Sequence, residues 1–400
     1  MYEHTSQMEP LLPSDRDGEL EKGAIEIIRK SAEISGMLHP ITRHSVKELL
    51  RSMNCYYSNL IEGHNTHPID IERALKDEYS DDPAKRALQL ESRAHIEVQI
   101  RLERRLRQDP NFNISDASFL CWIHKEFYER LPQEFRVIKG KGGLKDTVVP
   151  GELRKRDVRV GMHVPPRPDR IERFLERFAE VYEPKNQNHI QKLIMAAASH
   201  HRLLWIHPFL DGNGRVARLY TDAYLSRAKV DGHGLWAVAR GLARHRDEYL
   251  AELTRGDGFR QNDWDGRGNL SDSGLTSFCR FFLDTSLDQV TFMTGLLELD
   301  GLLERINGYV EYQANVGSLR PEAKYLLREA LLRGEVPRGE ASRITGLSER
   351  TARKLLRELL DRGLLVAVSP KTPVRMGFPV HAIGYYFPRL YPEGVELSLS

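Results

Sequence analysis

Between two stretches patterned for helix, the chain places His207-Pro208-Phe209-Leu210-Asp211-Gly212-Asn213-Gly214-Arg215-Val216-Ala217-Arg218. The apolar run Leu193–Ala198 precedes this segment and a Val-Ala-x-x-Leu-Tyr pattern from Val216 follows it. Both flanks predict helix, so the segment is a loop that opens a helix. Such a start attracts anions through its free N–H groups and the helix dipole. Gly212 and Gly214 tolerate positive φ and let the backbone curl into an anion-binding nest. Arg215 and Arg218, three apart, share a helical face from which both can reach phosphate oxygens. Asp211 is a natural oxygen ligand for Mg²⁺, which takes few protein ligands and fills its shell with water and phosphate. His207, just before the turn, is placed as a general base, and Phe209 reads as a core anchor for the loop. The segment lacks the Lys-Ser/Thr ending of a Walker loop, and no Rossmann-type strand precedes it. These are parts for holding and cutting a polyphosphate.

At every defining position the segment resembles the motif of the Fic family, His-Pro-Phe-x-Asp/Glu-Gly-Asn-Gly-Arg-x-x-Arg. The resemblance implies transfer of AMP from ATP to a Ser, Thr or Tyr hydroxyl of a protein target. It implies that His207 deprotonates that hydroxyl and that Asp211 holds Mg²⁺ between the α- and β-phosphates. Gly212, Asn213 and Gly214 would stabilise charge on phosphate oxygens. Arg215 would grip the β-phosphate and Arg218 the γ-phosphate. The implied fold is mainly α, a Fic-type helical core with a short β-hairpin flap and a C-terminal winged-helix domain.

Upstream, Ser58-Asn59-Leu60-Ile61-Glu62-Gly63 resembles the inhibitory signature of the same family, Ser/Thr-x-x-x-Glu-Gly/Asn. Val46, Leu49, Leu50, Met53, Tyr57, Leu60 and Ile61 have roughly helical spacing, and Gly63 suits a helix stop. Ser58 and Glu62, four apart, lie on one face. The resemblance implies an ion pair between Glu62 and Arg218 that occupies the γ-phosphate site. Many relatives carry Asn directly after the glycine, whereas here His64 comes before Asn65.

Val158 to Pro166 alternates apolar and polar residues and ends at Pro165-Pro166. With Gly142-Gly143 and Pro150-Gly151 upstream it predicts a short hairpin. It resembles the Fic flap, which implies nucleotide contacts from Val160, Gly161, Met162 and His163 and pairing with a target backbone as an added strand. A solvated loop histidine is the other reading of His163. Arg246 to Leu250 resembles the family helix that bears two tyrosines near adenine. Tyr249 keeps the first and Leu250 replaces the second, so adenine contact and core burial both stay open for Tyr249. His200 and His201 read as structural.

The rest of the chain predicts two or three domains in 400 residues. The divisions are an N-terminal arm (1–40), a helical region with the inhibitory motif (41–110), a catalytic core (111–290), a helical linker (291–318) and a winged-helix domain (319–390). With 59 Lys+Arg against 57 Asp+Glu, wholesale coating of nucleic acid or membrane is excluded. No apolar run approaches the roughly 20 residues of a spanning helix. Cys55, Cys121 and Cys279 are scattered, which fits a reducing, cytoplasmic setting and neither disulfides nor zinc.

From 320 onward, 14 basic residues face 9 acidic ones. The pattern there predicts helices over Glu322–Leu332, Gly339–Ile344 and Ser348–Leu360, then strands at Leu364–Val368 and Val380–Tyr386. Arg350, Arg353, Lys354 and Arg357 would decorate the third helix, compatible with DNA phosphates or with partner contacts such as a homodimer. Three functions stay in play: an autoinhibited adenylyltransferase, a DNA-binding regulator with a nucleotide-sensing core, and an enzyme that removes AMP from modified protein.

Overall fold

The computed structural model describes residues 2–139 and 145–392, and it is mainly helical. In chain order the helices are α1 (Glu19–Gly36), α2 (Pro40–Ile61), α3 (Pro68–Leu75), α4 (Pro83–Gln108), α5 (Ala117–Tyr128), α6 (Ile171–Tyr182), α7 (His189–Ile206) and α8 (Asn213–Arg227). There follow α9 (Ala239–Arg244), α10 (Arg246–Gly256), α11 (Asp272–Leu297), α12 (Leu299–Asn315), α13 (Ala323–Arg333), α14 (Ala341–Thr345), α15 (Glu349–Asp361) and α16 (Val380–Tyr386).

The centre is α7. Its residues Leu193, Met195 to Leu203, Trp205 and Ile206 are buried on nearly all sides, the polar Ser199, His200, His201 and Arg202 among them. Asn188 caps its start by accepting from the Gln191 amide at 2.8 Å. Helices α6, α8 and α11 pack around it. α6 shows the other pattern, one buried stripe of Ile171, Phe174, Leu175, Phe178 and Tyr182 at three-to-four spacing.

Three regions differ from the sequence reading. The 1–40 stretch, read as an arm, holds α1, whose Leu20, Ala24, Ile27 and Ile34 are buried against α11. Its apolar positions follow helical spacing, which outweighs the polar composition around them. The flap is reduced to a single bridge, Val160 N to His163 O at 3.0 Å and His163 N to Val160 O at 2.9 Å. Regular pairing lies earlier, where β1 (Val137–Lys139) meets β2 (Lys145–Thr147) antiparallel; Gly142 and Gly143 lie outside the described residues. Val380–Tyr386 is helix α16, because Val380, Ile383 and Tyr386 recur every three residues and bury one face.

The C-terminal sheet has three strands, β3 (Glu335–Val336), β4 (Leu365–Val366) and β5 (Val374–Met376), in the order β3-β5-β4, all antiparallel. α13 precedes β3, and α14 with α15 fills the connection from β3 to β4. Ser348 starts α15 by accepting from the Thr351 amide at 3.4 Å. The three cysteines are free, and no described helix is long and apolar enough to cross a membrane.

Candidate active site

The loop between α7 and α8 is held from several directions. His207 ends α7 in the left-handed region (φ 50°, ψ 61°), where histidine is tolerated better than most side chains. Its amide donates to the Leu203 carbonyl at 3.1 Å. Its carbonyl accepts from Arg154 Nε at 2.8 Å. Arg154, only 4% exposed, also donates through its backbone amide to Pro208 O and through Nη2 to Pro166 O. One buried guanidinium therefore ties the motif to the base of the flap; burial draws its pKa down to about 10. Phe209 is fully buried and stacks on His124, ring centroids 4.1 Å apart, as a core anchor should.

Asn213 braces the turn with its amide, Oδ1 accepting from Phe209 N at 2.9 Å and Nδ2 donating to Phe209 O at 2.8 Å. Its side chain is thus spent on loop shape, and its contribution to an anion falls to its backbone N–H. The first helical bond of α8 runs from Val216 N to Gly212 O. The amides of Asn213, Gly214 and Arg215 precede it and are the anion-facing donors of the helix end. Gly212 takes φ 78°, and a Cβ there would sit 2.7 Å from the Tyr128 ring. Asp211 is exposed, and one of its oxygens accepts from Tyr128 Oη at 2.7 Å.

Both motif arginines are buried and both are engaged by carboxylates. Arg218, 3% exposed, donates from Nε to Ser58 Oγ at 2.9 Å and from Nη2 to Glu62 Oε1 at 2.5 Å and Ser58 O at 3.2 Å. Burial pushes the Glu62 carboxyl up, but the guanidiniums of Arg218 and Arg215 outweigh it and hold the pKa below the ordinary value. Glu62 follows α2 as its C-cap, and Gly63 (φ 87°) turns the chain away. A Cβ on Gly214 would lie 2.5 Å from Glu62 Oε1, so only glycine leaves room for this carboxylate.

Arg215 pairs with Glu91 of α4, and Glu91 Oε2 lies 2.7 Å from His64 Nδ1. Glu91, Tyr128 and Arg154 were not legible as site residues. Glu91 left only a faint trace, a glutamate on the buried stripe of α4. Because Glu91 and Arg215 are both mostly buried (11% and 8% side-chain exposure), Glu91→Ala leaves a buried cation without its direct ion-pair partner. We expect it to lower unfolding stability by about 3 kcal/mol, read as an earlier denaturant midpoint.

The remaining candidates separate. His163 faces inward, Nε2 2.8 Å from the Trp205 carbonyl, and burial lowers its pKa. Val160 and Met162 are exposed, Met162 at 88%. Tyr249 is buried with its hydroxyl 2.7 Å from His200 Nε2, whose Nδ1 is 2.7 Å from Thr221 Oγ1. Tyr249 thus lies in the core, its hydroxyl joined through His200 to Thr221.

The site is therefore a helix start with free amides, a histidine at its lip and two buried arginines on one face of α8. Residues 114–225 match the Fic/DOC family. That segment, which holds the phosphate-type loop and both motif arginines, is a Fic-type domain. It is 30% identical over 203 residues to "Protein adenylyltransferase Fic" of Nematostella vectensis, covering 50% of this chain and 43% of that protein. To the Drosophila grimshawi protein of the same name it is 40% identical over 83 residues, 21% of this chain and 17% of the relative. The chain thus spans less than half the length of these relatives. Among solved structures, a Fic family protein from Desulfovibrio desulfuricans G20 superposes with TM-score 0.50 at 17% identity, covering 88% of this chain and 95% of that one. Fic-1 from C. elegans gives TM-score 0.53 at 17% identity, covering 71% and 74%. These likenesses are of fold.

Proposed function

We propose that the chain is a protein adenylyltransferase held inactive by its own Glu62. The observation that carries the reading is the contact of Arg218 with Ser58 and Glu62, set beside an intact phosphate loop. Relatives named as protein adenylyltransferases supply the reaction class. In this reading a target hydroxyl oxygen bonds to the α-phosphorus of ATP, the bond from that phosphorus to the bridging oxygen breaks, and pyrophosphate leaves. The hydroxyl proton passes to His207. The α8 amides stabilise charge on phosphate oxygens, and Arg215 and Arg218 hold the outer phosphates.

The donor set suits Mg²⁺. Asp211 offers an exposed carboxylate, the kind of single protein oxygen that a metal sharing its shell with substrate phosphate can use. When bound, it would neutralise phosphate charge. The Tyr128 hydroxyl orients Asp211 for that contact.

The test is ATP labelled at the α-phosphate. Label should stay on protein with the full chain and rise with Glu62→Gly; a label that never becomes protein-bound in either form would sink the reading. Its pH profile has a sign. Burial, with Arg154 nearby, draws His207 down to about 4, so the imidazole is neutral and able to accept a proton across the neutral range. Transfer should hold its plateau to about pH 5 and be lost as pH falls through about 4. An acid limb near the ordinary histidine value of about 6.5 would contradict the burial argument.

A second reading rests on α15, whose Arg350, Arg353, Lys354 and Arg357 are exposed. With the β3-β5-β4 sheet this matches a winged helix offering a basic face to DNA phosphates. Salt-sensitive gel shifts that disappear on neutralising Arg353 and Arg357 would support it.

A further inference from the structure

Among the described residues, the hydrogen bonds of the Arg218 guanidinium run to the last turn of α2 and the residue that caps it, so whatever fixes that turn decides whether Glu62 reaches Arg218. We propose that the segment Arg389–Tyr391, which follows α16, is the positioning brace of the inhibitory turn and couples the C-terminal unit to the active site. This inference rests on the reading of Glu62 as the lock.

The geometry is specific. Tyr57, the residue before Ser58, is 1% exposed and donates its hydroxyl to the Leu390 carbonyl at 2.9 Å. Tyr391 stacks on Tyr57 (6.4 Å, 12°) and meets Tyr56 edge-on (5.3 Å, 87°). Leu390 is fully buried and Tyr391 is 5% exposed. Arg389 adopts φ 62°, and its carbonyl accepts from Nη2 of the buried Arg240 of α9 at 2.9 Å. The brace is thus pinned to the catalytic domain on one side and to α2 on the other. The same unit grips α2 at its start, where Thr42 Oγ1 donates to the Leu331 carbonyl of α13 at 2.9 Å. It also reaches α3, since Val380 N donates to Glu72 Oε2 at 3.0 Å.

Both ends of the inhibitory helix therefore rest on the C-terminal unit. The last turn of α2 has its forward side on Arg218 and its rear on Tyr391. Occupancy of the C-terminal unit by a partner reaches Glu62 along this route only if the brace moves. A two-state element whose equilibrium both sites bias is what coupling needs.

The experiment uses the full chain with Tyr391→Ala, and Tyr57→Phe as the milder variant that removes only the hydroxyl bond to Leu390. Each is made in the wild-type and Glu62→Gly backgrounds. AMP transfer and amide hydrogen exchange of residues 54–62 are both read. We expect Tyr391→Ala to raise transfer about fivefold or more with Glu62 present, to leave the Glu62→Gly rate unchanged, and to speed exchange in the last turns of α2. Tyr57→Phe should move the same way by less. Equal losses in both backgrounds would mark Tyr391 as merely structural and overturn the proposal, as would unchanged exchange in α2. Were Glu62→Gly itself no faster than wild type, the lock reading would fall, and the exchange data alone would decide whether the segment braces α2.

Discussion

His207→Ala should abolish AMP transfer, with a fall of about 10²–10⁴-fold, while ATP binding persists. Other imidazoles near the loop are engaged elsewhere: His163 is turned to Trp205 O, His200 to Thr221 and Tyr249, and His64 to Glu91. The backbone roles of His207, accepting from Arg154 and donating to Leu203, survive the substitution. The cost of an alanine at φ 50° is about 1–2 kcal/mol, small for a loop also pinned by Phe209 and the Asn213 amide. The variant should therefore fold and bind nucleotide through Arg215, Arg218 and the α8 amides. Measured together, nucleotide affinity and transfer rate separate the roles. A rate within tenfold of wild type would remove His207 as the base.

How much of this site was legible depended on whether the signal was local. The phosphate loop was, because its chemistry is packed into twelve consecutive residues whose conformations neighbours demand. Gly214 shows the limit. The sequence predicts positive φ there, but Gly214 is helical, the second residue of α8, and its lack of a Cβ serves instead to leave room for Glu62 Oε1, from a helix end about 150 residues upstream. The pairing of Glu62 with Arg218 was reachable only through resemblance, since nothing in the spacing of α2 points to α8. Glu91 and Arg154 act across the fold from elements with no motif of their own, and a buried glutamate on a charged helix looks like any other. The flap was legible in kind and overestimated in length: alternation over Val158–Val164 satisfies strand periodicity, and among the described residues its pairing is the reciprocal Val160–His163 bridge across a two-residue turn.

Glu62→Gly should raise transfer on the order of 10- to 100-fold, and the argument is one of competition for a single guanidinium. A charge-assisted hydrogen bond of this kind contributes about 1.5–3 kcal/mol. With its side chain 30% exposed, Glu62 keeps some hydration, which favours the lower end. While Glu62 holds Nη2, a γ-phosphate must displace it or sit elsewhere, and in the second case the α-phosphate is misaligned for attack. Removing the carboxylate frees Arg218 but leaves a cation that is 3% exposed, with Ser58 as its remaining hydrogen-bond partner among the described residues. The variant should therefore be less stable than wild type without nucleotide and gain more from ATP, because a ligand that binds only the folded state stabilises it by mass action. Glu62→Gln separates charge from bulk. It keeps the side-chain volume beside Gly214 and removes the negative charge, so a rate close to that of Glu62→Gly assigns the inhibition to the ion pair. A rate close to wild type assigns it to steric occupation of the phosphate site, and tighter ATP binding without faster transfer would mean that freeing Arg218 fills the site without aligning the α-phosphorus.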